Sequence, residues 1–179
     1  MIFSTRRLSF RRFVPADVDQ LYQTIYAHPA VAKALSPTGS LSLEQTADLL
    51  QRRLQHWQQH GFGAWALIHQ ADQQLIGHCG LHYFYPVPDQ AAEVELTYAM
   101  NPSFWGQGLA TEAATTVLQW GFETLKLPKI AAVTAPANFA SQRVMQKLGM
   151  TYEKTLPYNG SAVVYYTIAH SAFSRSNRL

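Results

Sequence analysis

The chain has 179 residues, of which 47% are hydrophobic and 14% charged, a composition that predicts one globular domain over residues 1–179 and excludes a disordered chain. Its net charge of +3 is far from the clustered excess of a dedicated nucleic-acid-binding protein. Cys79 is the single cysteine, no apolar signal segment follows the first residues, and no run reaches about eighteen apolar residues. We therefore expect a cytoplasmic protein without a membrane or nucleic-acid partner.

The first third of the chain predicts one strand and two helices. A loosely alternating segment, 8–13, indicates a strand, and the proline that follows suits the first position of an amphipathic helix over about 15–27. Ser42 stands three residues before Gln45, which is the spacing of a capping box, and a second helix is expected over about 43–60.

The middle of the chain predicts antiparallel strands. Segments 64–68 and 75–81 are apolar and are joined by a short polar stretch, as in a hairpin. Residues 92–100 alternate and predict a further strand. Alternate residues of that strand share one of its sides, namely Glu93, Glu95 and Thr97.

The last third alternates helices and strands. A helix over about 110–125 followed by a β-branched strand over 129–135 predicts a right-handed crossover. Asn138 can cap a helix over 139–148. Two strands, 151–156 and 162–169, flank an Asn-Gly turn, and residues 174–179 are expected to be loose. The sequence thus predicts an α/β fold with a mixed sheet.

The segment from Trp105 to Thr111 joins a predicted strand to a predicted helix. Gly106 and Gly108 allow positive φ and close approach, and Ala110 is small enough for a ligand to lie against the helix end. Charge-assisted hydrogen bonds from such a loop are worth about 1.5–3 kcal/mol each, and the helix dipole adds about 0.3–1 kcal/mol. The loop therefore predicts an anion site that suits a pyrophosphate.

Two nucleotide-binding loops do not fit this segment. A Walker loop requires Gly-Lys-Ser or Gly-Lys-Thr, which the sequence lacks. A dinucleotide fingerprint requires a third glycine where Thr111 stands and an acidic residue about twenty positions further on, where Leu-Pro-Lys occurs at 127–129. ATP or GTP hydrolysis and a Rossmann fold are therefore disfavoured.

Several motifs in one order carry a family resemblance. They are Glu-Leu-Thr-Tyr-Ala-Met-Asn-Pro at 95–102, Phe-Trp-Gly-Gln-Gly-Leu-Ala-Thr-Glu-Ala at 104–113, Asn-Phe-Ala-Ser-Gln-Arg-Val at 138–144 and Lys-Leu-Gly-Met at 147–150. The segment from about 92 to 154 resembles the acyl-CoA-binding heart of the GNAT N-acetyltransferase superfamily, in its RimJ/RimL-like branch. Arg7-Leu8-Ser9-Phe10-Arg11 near the N-terminus also resembles this branch.

The resemblance implies a fold and a co-substrate. The fold is a twisted, mostly antiparallel mixed sheet with one splayed parallel pair, around Met100 and Val133, flanked by about four helices. The co-substrate is acetyl-CoA, held without a metal by the loop amides and by strand backbone in the gap. The residues assigned to it are Tyr98, Met100, Trp105, Gly106, Gln107, Gly108, Leu109, Ala110, Thr111, Asn138 and Ser141.

The resemblance also suggests catalytic residues. Glu95 matches a carboxylate of the family and is the candidate base, acting through water, with Glu93 as the second candidate. Ser141 is the candidate proton donor to the departing thiolate, because Met145 stands where many members have a tyrosine. The alternative for Ser141 is a purely structural place in the first turn of a helix capped by Asn138.

The expected reaction is acetyl transfer to a primary amine by direct attack in a ternary complex. A lysine amine costs about 4 kcal/mol to deprotonate near neutral pH and an α-amine far less, which favours a protein N-terminus as the acceptor. Two alternatives stay open: a small-molecule amine acetyltransferase of the same fold, and a non-catalytic acyl-CoA-binding regulatory module. Two departures from the branch bear on these, because Gln107 replaces a frequent basic residue and Thr97 a frequent glycine. A homodimer is possible.

Overall fold

The computed structural model describes residues 3–35, 40–86, 91–158 and 160–176. Its centre is one eight-stranded sheet with the strand order β1-β2-β3-β4-β5-β6-β8-β7. The strands are β1 (Phe3–Ser4), β2 (Leu8–Arg11), β3 (Ala64–His69), β4 (Leu75–Phe84), β5 (Glu93–Met100), β6 (Lys129–Thr134), β7 (Thr151–Tyr158) and β8 (Ser161–Ala169).

Six α-helices lie in the part of the chain that the structure describes: α1 (Val18–Leu21), α2 (Pro29–Leu35), α3 (Leu43–His60), α4 (Leu109–Glu123), α5 (Phe139–Lys147) and α6 (His170–Ser176). The predicted capping box at the start of α3 is present, with the Ser42 hydroxyl accepting from Gln45 N–H at 3.1 Å. The helix expected over 15–27 is composite, because a 3₁₀ turn (Pro15–Asp17) precedes α1 and a π-helical turn (Tyr22–Tyr26) follows it.

The predicted splayed pair is confirmed. All neighbouring strands pair antiparallel except β5 and β6, which are parallel. Among the described residues these two strands meet in register only at Glu95 and Ala131, although β5 continues to Met100 and β6 to Thr134. Beyond the contact point the two backbones separate, so edge groups of both strands face a gap.

The sheet is covered on both sides. On one side, here called the α4 face, Leu96 and Met100 of β5 pack with Ala113 and Val117 of α4 in the largest apolar cluster. On the other, here called the α3 face, Ala99 of β5 packs with apolar residues of α1 and α3 in a second cluster. The period of two in β5 therefore separates Glu95 and Thr97, on the α3 face, from Tyr98, on the α4 face.

The differences from the predicted elements are local. The strands β4, β7 and β8 extend beyond their predicted ends, and β1, α2 and α6 were not predicted. Helix α6 replaces part of the loose C-terminus because Phe173 is buried against Phe122 of α4, with ring centroids 5.2 Å apart. Residues 36–39, 87–90 and 159, which belong to predicted loops and turns, lie outside the described residues. None of the described helices is long and apolar enough to cross a membrane.

Candidate active site

The loop between β5 and α4 has the conformation that its glycines predict. Gly106 and Gly108 have φ values of +75° and +77°, which is the left-handed region that favours glycine. Helix α4 begins directly after Gly108, and its first turn closes with Glu112 N–H donating to Gly108 O at 3.0 Å. The amides of the residues between them have no earlier helical carbonyl to reach, so they point out of the helix end. An anion placed there meets several N–H donors and the positive end of the dipole.

Side-chain hydrogen bonds fix the loop to the end of β5. The Trp105 indole donates to Met100 O at 2.8 Å while its ring stays 45% exposed. The Gln107 amide folds back and donates to Ser103 O at 3.2 Å. Leu109 is buried in the core beneath the loop, so only its backbone is available to a ligand.

Arg7 supplies a cation to this loop that the resemblance did not assign. Its Nη1 donates to Gln107 O at 2.9 Å, and a side chain at Gly108 would meet its Nη2 at 3.8 Å. Its Nε and Nη2 lie 2.7 and 2.6 Å from Glu112 Oε2. Partial burial alone would raise the pKa of Glu112, but hydrogen bonds from Thr5 and Arg7 outweigh it and lower that pKa. Arg7, directly before β2, thus brings a guanidinium to the loop while it stays paired with Glu112.

Beside the gap between β5 and β6, a pair of hydroxyl groups joins β5 to α5. Tyr98 Oη lies 2.8 Å from Ser141 Oγ and 3.1 Å from Ser141 O, so it joins β5 to α5. Burial raises the pKa of Tyr98 despite the hydrogen bond to Ser141, and the phenol stays protonated. The sequence alone did not indicate this pair, because 43 residues separate the partners.

Asn138 also caps the helix whose first turn contains Ser141, which is the structural alternative that the sequence left open for Ser141. Asn138 is the N-cap of α5, and its side-chain oxygen accepts from Ser141 N–H at 3.1 Å. This bond uses the Ser141 backbone and leaves its hydroxyl for Tyr98. Met145 is 1% exposed and belongs to the core. The two alternatives for Ser141 are therefore compatible with each other.

Glu95 is paired with a histidine on the α3 face of the sheet. Glu95 is opposite His82 in the antiparallel register of β5 and β4, and its Oε2 lies 3.2 Å from His82 Nε2. The carboxylate side chain is 11% exposed and the imidazole 38%. A largely buried carboxylate next to a more accessible imidazole can pass a proton from the site toward solvent.

Glu93 has different neighbours from Glu95 although both lie on one side of β5. The Tyr165 hydroxyl donates to Glu93 Oε2 at 2.5 Å, and Lys129 Nζ lies 3.2 Å from the same oxygen. Burial, followed by the hydrogen bond to Glu93, raises the pKa of Tyr165. The Glu93 carboxylate is therefore engaged by a lysine and a phenol rather than by a histidine.

Two other potentially reactive side chains, Cys79 and His56, are held in place by burial or by hydrogen bonds to backbone. Cys79 is fully buried, and burial raises the pKa of its thiol. His56 lies between Phe62 O, 2.7 Å from Nδ1, and Tyr83 N–H, which donates to Nε2 at 3.1 Å. Burial lowers the pKa of this imidazole. No group of three or more metal-ligating side chains occurs among the described residues.

The sequence profile of the acetyltransferase (GNAT) domain family matches residues 7–151, which includes the loop, the gap and both catalytic candidates. The chain belongs to the GNAT acetyltransferase family. It is an N-acetyltransferase that uses acetyl-CoA, and the RimJ/RimL-like resemblance is confirmed at the level of the family.

Three similar proteins each align with at least 90% of this chain. The uncharacterized protein YkkB of Bacillus subtilis is 30% identical over 165 residues, which are 90% of this chain and 92% of YkkB. A GNAT-family acetyltransferase from Bacillus anthracis has a crystal structure with a TM-score of 0.78 at 26% identity, covering 96% of this chain and 99% of that one. RimL, a ribosomal L7/L12 alpha-N-protein acetyltransferase solved with coenzyme A, shares the fold with a TM-score of 0.77 at 20% identity, over 94% and 98% of the two chains.

The residues that the sequence assigns to acetyl-CoA are compatible with that co-substrate. A Cβ built on Gly106 would have no atom within 4 Å, so the space in front of the loop is open. Tyr98 and Met100 lie on β5 where it has left β6, so their backbone groups face a ligand that acts as an additional strand, although Met100 O already accepts from the Trp105 indole. These residues fit the pyrophosphate and the amide-bearing arm of the co-substrate, and their individual roles stay predictions.

Proposed function

We propose that this enzyme acetylates a primary amine by direct attack in a ternary complex, with a protein N-terminal α-amine as the first acceptor to test and the cytoplasm as its place of action. The observation that carries the proposal is the open β5/β6 gap, which leads from the glycine loop to the Glu95–His82 pair. When bound, acetyl-CoA supplies a thioester whose C–S bond breaks as the C–N bond of the amide forms.

Glu95 is the proposed base. It accepts the proton of the amine, directly or through one water, and His82 stabilises the carboxylate at 3.2 Å. The base needs little strength if the acceptor is an α-amine, because such an amine with a pKa of about 7.7–8.0 is partly neutral at physiological pH. Likewise, RimL, which shares this fold, acts on an α-amine as its name states.

Ser141 is the proposed donor to the departing sulfur. Tyr98 lies behind it at 2.8 Å and can return a proton to Ser141 once the hydroxyl has given up its own. Burial raises the pKa of the phenol, so Tyr98 is protonated at neutral pH when the reaction begins. The pair gives one proton to the sulfur and takes one back from solvent after coenzyme A leaves, while Glu95 releases the amine proton to solvent, so protons balance over one turnover.

Direct attack is favoured over an acetyl-enzyme intermediate. Cys79 is the only cysteine of the chain, and a thiol with a raised pKa in the apolar interior does not form the thiolate that a covalent step requires. The amine must then react with the thioester itself, so both substrates have to be bound together.

Calorimetry and turnover distinguish this enzyme from a regulatory module. The purified protein is titrated with coenzyme A, and thioester consumption is then followed with peptides that have free or blocked N-termini. We expect heat on titration and turnover only with free amines. Binding without turnover of any amine would support the regulatory module, and no binding at all would contradict the site.

A further inference from the structure

A buried polar cluster lies on the α3 face, outside the residues used above. It consists of Arg53 of α3, Tyr26 of the π-helical turn and His78 of β4. Arg53 Nη2 lies 2.8 Å from Tyr26 Oη and 2.9 Å from His78 Nε2, and Tyr26 Oη lies 2.8 Å from the same nitrogen. His78 is 2% and Tyr26 5% exposed.

The donors of this cluster outnumber its acceptors. A guanidinium nitrogen always donates, so His78 Nε2 must accept and the proton of the neutral ring is on Nδ1. His78 Nδ1 and Arg53 Nη1 are both buried and have no hydrogen-bond partner among the residues that the structure describes. Burial, followed by the charge of Arg53, keeps the pKa of His78 well below its usual value, so the ring does not become a second cation. Two buried N–H donors are thus unsatisfied, which is costly in a folded protein.

The charge of the cluster is uncompensated as well. Arg53 packs against the rings of Phe13 and Tyr26, at 5.6 and 5.8 Å from their centroids. No ion pair or hydrogen bond joins it to a carboxylate within residues 3–35, 40–86, 91–158 and 160–176. By contrast, the partly buried Arg11 has a carboxylate partner, Asp17, in a bidentate pair at 2.7 and 2.8 Å. A guanidinium with free donors and no counter-ion is the complement of a carboxylate.

The cluster shares a sheet face with the proposed base. The β4/β5 register places His78 opposite Ala99, Gly80 opposite Thr97 and His82 opposite Glu95. Successive same-face positions are about 7 Å apart, so the cluster and the Glu95–His82 pair lie about 13 Å apart along the strands, with Thr97 between them. Helix α3 runs past both places, because its Arg53 contacts His78 in the cluster and its His56 contacts Tyr83, the neighbour of His82.

We propose that Arg53, with the Nδ1–H of His78, binds a carboxylate of the acceptor while the acceptor's amine lies near Glu95. This inference rests on the proposed acetyltransferase function and names its acceptor class: an amine that carries a carboxylate several bonds away, far enough to bridge the separation between the two groups. The carboxylate has two sources, either an acidic side chain at the start of a peptide or the carboxyl group of a small amino acid whose amine and carboxylate stand at opposite ends of its chain.

The test compares acceptors that differ only in this charge. One arm uses amidated peptides with Glu or Gln as their first or second residue, and the other uses free amino acids and their carboxamides. The variant is Arg53→Met, and the matched control is Arg52→Met, which removes an exposed arginine from the preceding position. Because the amides differ in intrinsic reactivity, the quantity compared is the acid-to-amide ratio of kcat/KM in each variant relative to the wild type.

We expect this ratio to fall about tenfold or more in Arg53→Met, in one of the two arms, and to stay within about twofold in Arg52→Met. The arm that responds identifies the source of the carboxylate. A ratio unchanged by Arg53→Met in both arms would overturn the inference. Heat of coenzyme A binding, measured on each variant, should be unaffected and separates this failure from a failure of the acetyltransferase site.

A second measurement covers the case in which Arg53→Met does not fold. Glutarate, a dicarboxylate without an amine, is added to the wild type during turnover. Competition with the acceptor and not with acetyl-CoA is the expected pattern. Absence of inhibition up to a concentration well above the acceptor KM, or competition with acetyl-CoA, would contradict the inference.

Discussion

At the scale of single residues, the two carboxylates of β5 make the mechanism testable. Glu95 is paired with His82, whereas Glu93 is held by Lys129 and Tyr165. We expect Glu95→Gln to lower kcat by about 10²–10⁴-fold with the KM for acetyl-CoA unchanged, because only proton removal is lost. Glu93→Gln is the matched control and should lower kcat much less. Equal losses in the two variants, measured by steady-state kinetics, would remove Glu95 from its role.

Gly108 tests whether the loop holds the co-substrate. Gly108→Ala places a Cβ at φ +77°, and Gly160→Ala places one at φ +76° in the β7–β8 turn, so both carry a backbone penalty of about 1–2 kcal/mol. We expect similar losses of unfolding free energy in urea. Only Gly108→Ala should raise the Kd of coenzyme A, by about tenfold or more as the loop amides are displaced. Equal Kd values in the two variants would contradict the assignment.

At the scale of elements, Arg7 connects β2 to the loop and to α4. Replacing it in Arg7→Met removes the bonds to Glu112 and to Gln107 O. Since the pair is partly exposed, we expect a stability loss of about 1 kcal/mol. Coenzyme A binding should also weaken, and more so at low salt, because a cation leaves the anion site. Arg6→Met, at an exposed position, is the control. Unchanged coenzyme A affinity in Arg7→Met would show that the contact only stabilises the fold.

His78 connects β4 to α3 and predicts how stability depends on pH. Its pKa is lowered in the folded state from an ordinary value of 6.5, mainly by burial. Below pH 6.5 the unfolded chain binds a proton that the folded chain does not, so stability falls as pH falls. Between pH 6.5 and 5.5 this loss is about 1 kcal/mol.

Urea unfolding of the wild type at pH 6.5 and at pH 5.5 measures this loss, and the control is the same pair of measurements on His78→Gln, in which His56 and the other groups still titrate. The loss of unfolding free energy between the two pH values should be smaller in the variant by about 1 kcal/mol. Identical pH dependence in the two proteins would show that His78 is not the buried neutral ring described above.

The elements also show what the sequence could and could not predict. Long periodic segments such as α3 and α4, and the glycine loop, follow from local spacing and turn chemistry. The short helices α2 and α6 lack such a period and depend on burial of residues such as Phe173. The Tyr98–Ser141 and Arg53–His78 contacts join elements far apart in the chain. Such contacts follow from the sheet register, which no single segment encodes.

In the whole molecule, the two sides of one sheet carry different groups. The glycine loop and the β5/β6 gap open beside α4, and the carboxylate base and the uncompensated arginine face α3. In the proposed reaction, a thioester held in the gap is approached by its acceptor from the opposite side. Both substrates would then have to be present at once, since the buried Cys79 thiol is a poor covalent carrier.

The most direct test is the initial-velocity pattern of coenzyme A release, with acetyl-CoA and a free-amine acceptor varied together. Direct transfer in a ternary complex predicts double-reciprocal lines that intersect. Parallel lines, which indicate an acetylated enzyme, or release that does not depend on the amine, would contradict the account.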